Sequence, residues 1–155
     1  VSNLRFTSPR CLQYKLCLCP ASSPVHRQLY TMTDISYEDL VGKVKDMTVV
    51  DVRTRDEVVQ QGQLPHSHVL PVQELEEALM LSQESFKEKY GFPLLDTSDE
   101  NLVITCRSGR RVGIANDILK AKGFTKHKLY RGSFLEWTER GGPVVKPGQP
   151  YEPSN

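Results

Sequence analysis

Two short runs, "MTVVDV" (Met47 to Val52) and "NLVITC" (Asn101 to Cys106), constrain the fold more than any other feature of the chain. Both are apolar and rich in β-branched residues. Such strands are buried on both faces, as in a parallel sheet covered by helices. Segments of helical period surround them. "SYEDLVGKV" opens on Ser36 as a cap, with Asp39 three residues later. "PVQELEEALML" reads as a short helix, and "SQESFKEKYG" as another, capped by Ser82 and closed by Gly91. "RRVGIANDILKAKG" predicts an amphipathic helix ending at Gly123, "KHKLYR" a third strand, and "SFLEWTERGG" a closing helix stopped by two glycines. Strands alternating with helices predict an α/β domain with a largely parallel sheet. At 155 residues the chain has the length of one domain, and no internal repeat is visible.

Charge separates the N-terminus from the rest. Residues 1–33 carry four basic side chains (Arg5, Arg10, Lys15, Arg27) and no acidic one; beyond them 16 Lys and Arg face 19 Asp and Glu. The mildly acidic body argues against nucleic acid as a partner. No apolar run approaches the roughly 20 residues needed to span a bilayer, so no membrane partner is expected. Residues 1–33 are Ser-rich and interrupted by Pro9, Pro20 and Pro24. They suit a mitochondrial transit peptide, with "HRQLYT" as a processing site, or else a disordered extension; the expected compartment is mitochondrial, otherwise cytoplasmic. Three of the four cysteines (Cys11, Cys17, Cys19) crowd this segment, unlike a disulfide framework. Two thiols without a matching second pair make a poor zinc site, and no metal or cofactor is expected. The Pro-rich residues 146–155 read as an extended tail.

The fourth cysteine is the chemical feature. In "VITCRSGRRVGI", Cys106 stands at the end of a predicted central strand, where open parallel sheets bind ligands. Arg107, Ser108, Gly109 and Arg110 lead into a helix, and a turn of this kind aims successive amides inward as a nest for an anion. Gly109 supplies the residue at positive φ that a tight curl needs. The helix dipole and Arg107, Arg110 and Arg111 add positive potential, which favours a nucleophilic thiolate and attracts an anionic substrate. The alternative is a buried, inert cysteine beside a solvated basic face. No histidine is placed by the sequence as a general base: His26 lies in the N-terminal segment, and His66, His68 and His127 fall in loops or at a strand edge. A thiolate held by its loop needs none.

These residues resemble the rhodanese family. "CRSGRR" resembles the six-residue active-site loop that begins with the catalytic cysteine and has glycine fourth. "VVDVRTRDEVVQQGQLPHS" is similar to the family's strand-loop block through Asp51, Val52, Arg53, Glu57, Gly62 and Pro65. "LYRGSFLEWTERGGPV" is similar to its closing block through Gly132, Trp137, Gly142 and Pro143. The three blocks occur in order between Ile35 and Val145, so residues 34–145 are expected to form a rhodanese-like domain. The resemblance implies a small five-stranded parallel sheet flanked by helices on both faces. It also implies a sulfurtransferase: Cys106 takes the outer sulfur of thiosulfate or a related persulfide donor and passes it to a thiol or cyanide. Glutathione persulfide or a protein is a further possible partner. In this account residues 107–111 hold the persulfide and the donor anion, while Asp51 and Arg53 form a structural ion pair beneath the site.

The chain also departs from the family. Where "GHIPGA" is common it has "GQLPHS", with Gln63, His66 and Ser67 as the changed residues; Val112 follows the loop where serine is frequent. Glu57 stands where two-domain members place a substrate-binding arginine, which implies modest use of thiosulfate. Two rival readings remain. One is a non-catalytic rhodanese-like interaction module, a class that generally lacks the cysteine. The other is a cysteine phosphatase or arsenate reductase on the same fold, whose C-x5-R loop is one residue longer; here the last loop arginine is Arg111, five positions after Cys106.

Overall fold

The computed structural model describes residues 34–149. Residues 1–33, on which the transit-peptide expectation and Cys11, Cys17, Cys19 and His26 fall, and residues 150–155 of the tail lie outside the described residues.

Four strands form one parallel sheet: β1 (Thr48–Asp51), β2 (His68–Val69), β3 (Leu102–Thr105) and β4 (Lys128–Leu129), in the order β2-β1-β3-β4. The expectation of five strands is corrected to four among the described residues. Among the described residues, the place beside β4 is held by Asp34, bridged in parallel to Leu129, with the Ile35 amide donating to the Leu129 carbonyl at 3.0 Å. Ser36 then caps helix α1 (Tyr37–Val41). Cys106 lies one residue past β3 rather than inside it, because the β1–β3 register ends at Asp51 opposite Thr105.

Five further helices follow: α2 (Arg55–Gln61), α3 (Val72–Ala78), α4 (Gln83–Tyr90), α5 (Arg110–Ala121) and α6 (Ser133–Glu139). Successive residues of the central strands point to opposite faces. Val50, Leu102 and Ile104 pack with Leu75 and Ala78 of α3, Phe86 of α4, and Val112, Ala115 and Leu119 of α5. Val49 and Val103 pack on the other face with Leu40 of α1, Tyr130, and Phe134 and Trp137 of α6. Two covered faces explain why these strands carry no polar alternation. Val112, the departure from the family's serine, is fully buried in the first cluster.

Helix α2 was not visible as a period in the sequence, yet its start is encoded by "TRDE". Thr54 accepts from the Glu57 amide, and the Glu57 carboxylate accepts from the Thr54 amide at 3.1 Å. Gln63 and Val145 exchange backbone hydrogen bonds of 2.8 and 3.0 Å in an antiparallel bridge, tying the end of the domain to the α2–β2 turn.

Candidate active site around Cys106

Cys106 sits where β3 gives way to a turn of three residues before α5. Gly109 is the N-cap of α5 with φ of 84°, and a Cβ there would lie 2.3 Å from the Arg131 carbonyl oxygen. Both the backbone angle and the crowding demand glycine. The curl brings the Gly109 amide to the cysteine, donating to Sγ at 3.0 Å. The first turn of the 12-residue α5 adds its positive end close by.

The other side of the turn is fastened by α6. The Phe134 and Leu135 amides donate to the Cys106 and Arg107 carbonyls, both at 3.0 Å. Ser133 accepts from the Cys106 amide at 3.2 Å, and its Oγ lies 3.6 Å from Sγ. The sulfur is thus held between two helix starts, and Cys106 is only 1% exposed.

The loop arginines do not act alike. Arg107 and Arg110 are exposed, as is Ser108, whereas Arg111 turns back to Glu57 in a two-pronged ion pair with N–O distances of 2.6 and 2.7 Å. Arg111 pulls the Glu57 carboxyl down to about 2, helped by the Thr54 amide and hydroxyl. Glu57 in turn raises Arg111, with the nearby Cys106 sulfur and Asp51 carboxylate adding to the effect. The three arginines thus differ in their surroundings: Arg111 is paired with Glu57, and Arg107 and Arg110 are exposed. The charge of Arg111 is matched by that of Glu57.

Asp51 and Arg53 are both fully buried, at the end of β1. Arg53 Nη2 meets Asp51 Oδ2 at 2.6 Å, and Nε lies 2.8 Å from the same oxygen. Arg53 also donates to the Gly62 carbonyl at 2.7 Å and to Gln61 Oε1 at 3.3 Å, and stacks 4.1 Å from the Phe134 ring centroid. A buried guanidinium with this many acceptors fixes α2 and α6 relative to the sheet without touching the sulfur.

Gln63, His66 and Ser67 share the turn between α2 and β2. Gln63 Nε2 donates to the Ser67 carbonyl and Ser67 Oγ to the Leu64 carbonyl, at 3.2 and 2.7 Å. His66 takes φ of 58°, a conformation in which glycine would be unstrained. An open groove of about 390 Å³ beside this turn is lined by Arg55, Val59, His68, Lys89 and Tyr90 among others, and includes no residue of the Cys106 loop. Among the described residues no group of three or more His, Cys, Asp or Glu is placed to hold a metal ion. No described helix is long and apolar enough to cross a membrane.

Sequence reasoning overlooked Ser133 and the partner of Arg111. The serine opening "SFLEWTERGG" was a visible signal of a helix start, but its contact with residue 106 is a tertiary one.

Comparison with known proteins places the chain in a family. The model of the rhodanese-like domain matches residues 36–140. A putative mitochondrial thiosulfate sulfurtransferase of Schizosaccharomyces pombe is 43% identical over 96 residues, covering 62% of this chain and 66% of that protein. The human thiosulfate:glutathione sulfurtransferase is 34% identical over 90 residues, 58% of this chain and 77% of that protein. The structure of the human single-domain sulfurtransferase TSTD1 superposes with a TM-score of 0.66 at 30% identity, covering 70% of this chain and 97% of that one. With its model matched over residues 36–140, the chain belongs to the rhodanese-like domain family.

Proposed function

We propose that the chain is a sulfurtransferase of rhodanese type, with residues 34–145 as its working domain and Cys106 as the sulfur carrier. The observation that carries this reading is the seat of the sulfur: Gly109 donates an amide to Sγ at 3.0 Å in a turn that reaches its last arginine, Arg111, after only five residues. Amide donation and a helix start favour negative charge on sulfur. The thiolate attacks the outer sulfur of thiosulfate; an S–S bond forms to Cys106 as the donor's S–S bond breaks, and sulfite leaves with the electron pair. The terminal sulfur of the persulfide then passes to a nucleophile, and Cys106 departs as thiolate. Charge balances in both halves without an external oxidant or base. Arg107 and Arg110 draw the dianion in, and residues 107–111 cradle the persulfide.

A low-molecular-weight thiol such as glutathione is the proposed acceptor, as in the name of the human relative, and cyanide is the laboratory substitute. The compartment proposed is the mitochondrion, which the name of the fission-yeast relative supports. The test offers thiosulfate with glutathione or cyanide, and an aryl phosphate in parallel. Sulfite and persulfide (or thiocyanate) production supports the reading; efficient phosphate release without them replaces it with a phosphatase. Silence in both assays leaves an interaction module.

A further inference from the structure

The first turn of α2 has the cysteine loop on one side and an open groove on the other. Arg55 and Glu57 both belong to that turn. Two residues apart on a helix, they point in nearly opposite directions. Glu57 reaches Arg111 of the loop, whereas Arg55 lines the groove beside the α2–β2 turn. A helix with its side chains is about 10 Å across, so loop and groove stand about that far apart. The groove's volume of about 390 Å³ is that of a small-ligand site. Its lining sets two cations, Arg55 and Lys89, beside an apolar wall of Val58, Val59 and Tyr90, and none of the described lining residues carries a carboxylate. Behind the cations stands one acid: Glu74 meets Arg55 at 2.5 Å and Lys89 at 3.6 Å. Two positive charges thus share one negative, and the groove keeps a surplus of positive charge. Both cationic side chains are 52% exposed, and a guanidinium has five N–H donors, so donors remain for a ligand. Val59, 60% exposed, leaves apolar surface open in the same groove. Gln63 and Ser67, two of the residues by which the turn departs from the family's pattern, are also in the lining, so this surface is the chain's own.

We propose that this groove docks the sulfur acceptor, a peptide thiol bearing carboxylates, with a carboxylate on Arg55 and Lys89 and the carbon chain along Val59 and Tyr90. Glutathione has this chemistry: a carboxylate at each end and its sulfur between them. The arm from one carboxylate to the sulfur spans two residues and a side chain, on the order of 10 Å, which matches the width of the helix start between groove and loop. The acceptor thiol loses its proton to water. Its sulfur then bonds to the outer sulfur of the persulfide as the bond to Cys106 breaks, and Cys106 leaves as thiolate. The inference rests on the sulfurtransferase reading for its purpose, but docking is measurable without it.

The experiment measures transfer from saturating thiosulfate to glutathione and to mercaptoethanol, a thiol without a carboxylate, in wild type, Arg55→Gln, Lys89→Gln and Val59→Glu. The last variant removes no hydrogen bond or ion pair and puts a negative charge into the groove, so it separates docking from folding. In each variant the KM for glutathione is expected to rise about 2- to 5-fold, the worth of one exposed ion pair, with kcat and the KM for mercaptoethanol unchanged. The rise should shrink at high salt, because the groove is open to solvent. Equal changes for both thiols, or a wild-type KM for glutathione in Val59→Glu, would overturn the proposal. A second arm titrates S-methylglutathione, which cannot accept sulfur, into Cys106→Ser protein with and without Val59→Glu, followed by calorimetry. Binding weakened by Val59→Glu supports the docking site, and equal or undetectable binding in both proteins overturns it. If wild type transfers no sulfur to any acceptor, the proposed function fails, and the titration still decides the groove.

Discussion

Replacing Gly109 with alanine probes the turn at its tightest point. The added Cβ would stand 2.3 Å from the Arg131 carbonyl oxygen, where ordinary contact begins at 3.4 Å, so turn and carbonyl must separate by about 1 Å. The obstacle is backbone, and cannot rotate aside as a side chain would. Positive φ costs an L-residue roughly 1–2 kcal/mol, and overpacking a close-packed site typically costs a further 1–3 kcal/mol. A loss of about 2–5 kcal/mol in folding free energy is therefore expected. The same displacement pulls the Gly109 amide away from Sγ, now 3.0 Å distant. Misplacing a reacting group by about 1 Å can cost on the order of 100-fold in rate, so sulfur uptake per folded molecule should fall between about 10- and 100-fold. Urea unfolding followed by the fluorescence of the single tryptophan, the buried Trp137, gives the first quantity, and single-turnover uptake from thiosulfate the second. An alanine variant with the wild-type midpoint and rate would refute the argument that this turn is built around a missing side chain.

Arg110→Ala should raise the KM for thiosulfate several-fold with little change in Tm, and the difference should shrink at high salt, because Arg110 is exposed. Arg111→Ala should behave differently, lowering Tm as well, because it strips Glu57 of its two-pronged partner; equal effects of the two substitutions on KM and Tm would overturn this division. His127 bonds Asn116 at 3.0 Å in a buried site, and burial lowers its pKa to about 4. Since an unfolded histidine takes its proton near pH 6.5, stability is full above that value and falls as pH drops from 6.5 towards 4. Melting curves across this window should show the slope in wild type and a flatter one in His127→Gln, whereas an unchanged slope would assign it to other groups. Glu57 acts in a lower window, between about 4.5 and 2.

Elements marked by local chemistry were readable along the chain. Ser36, Ser82 and Gly91 mark helix ends where they were expected, and the apolar runs at β1 and β3 lie in the sheet interior. What escaped depends on short or distant pairings. β2 has two residues, too few for a period, β4 keeps only two residues of the expected "KHKLYR", and among the described residues the expected fifth strand is represented by the Asp34 bridge. Helix α2 hid because it buries only Val58, leaving no apolar stripe, though its capping box was in plain view. At the site, the spacing around Cys106 revealed the turn and the need for Gly109. It did not reveal that Glu57, 54 positions away, claims Arg111, or that Ser133, 27 away, touches the sulfur. Pairings of that separation are set by the sheet order, which the sequence pattern does not specify.

The most direct measurement is the intact mass of the protein after exposure to thiosulfate and removal of excess donor, followed by mapping of the modified peptide. The persulfide account predicts a gain of one sulfur atom on the peptide bearing Cys106, its loss on adding glutathione or cyanide, and no gain in Cys106→Ser. No gain with thiosulfate or any persulfide donor, or a sulfur that persists in the serine variant, would contradict it.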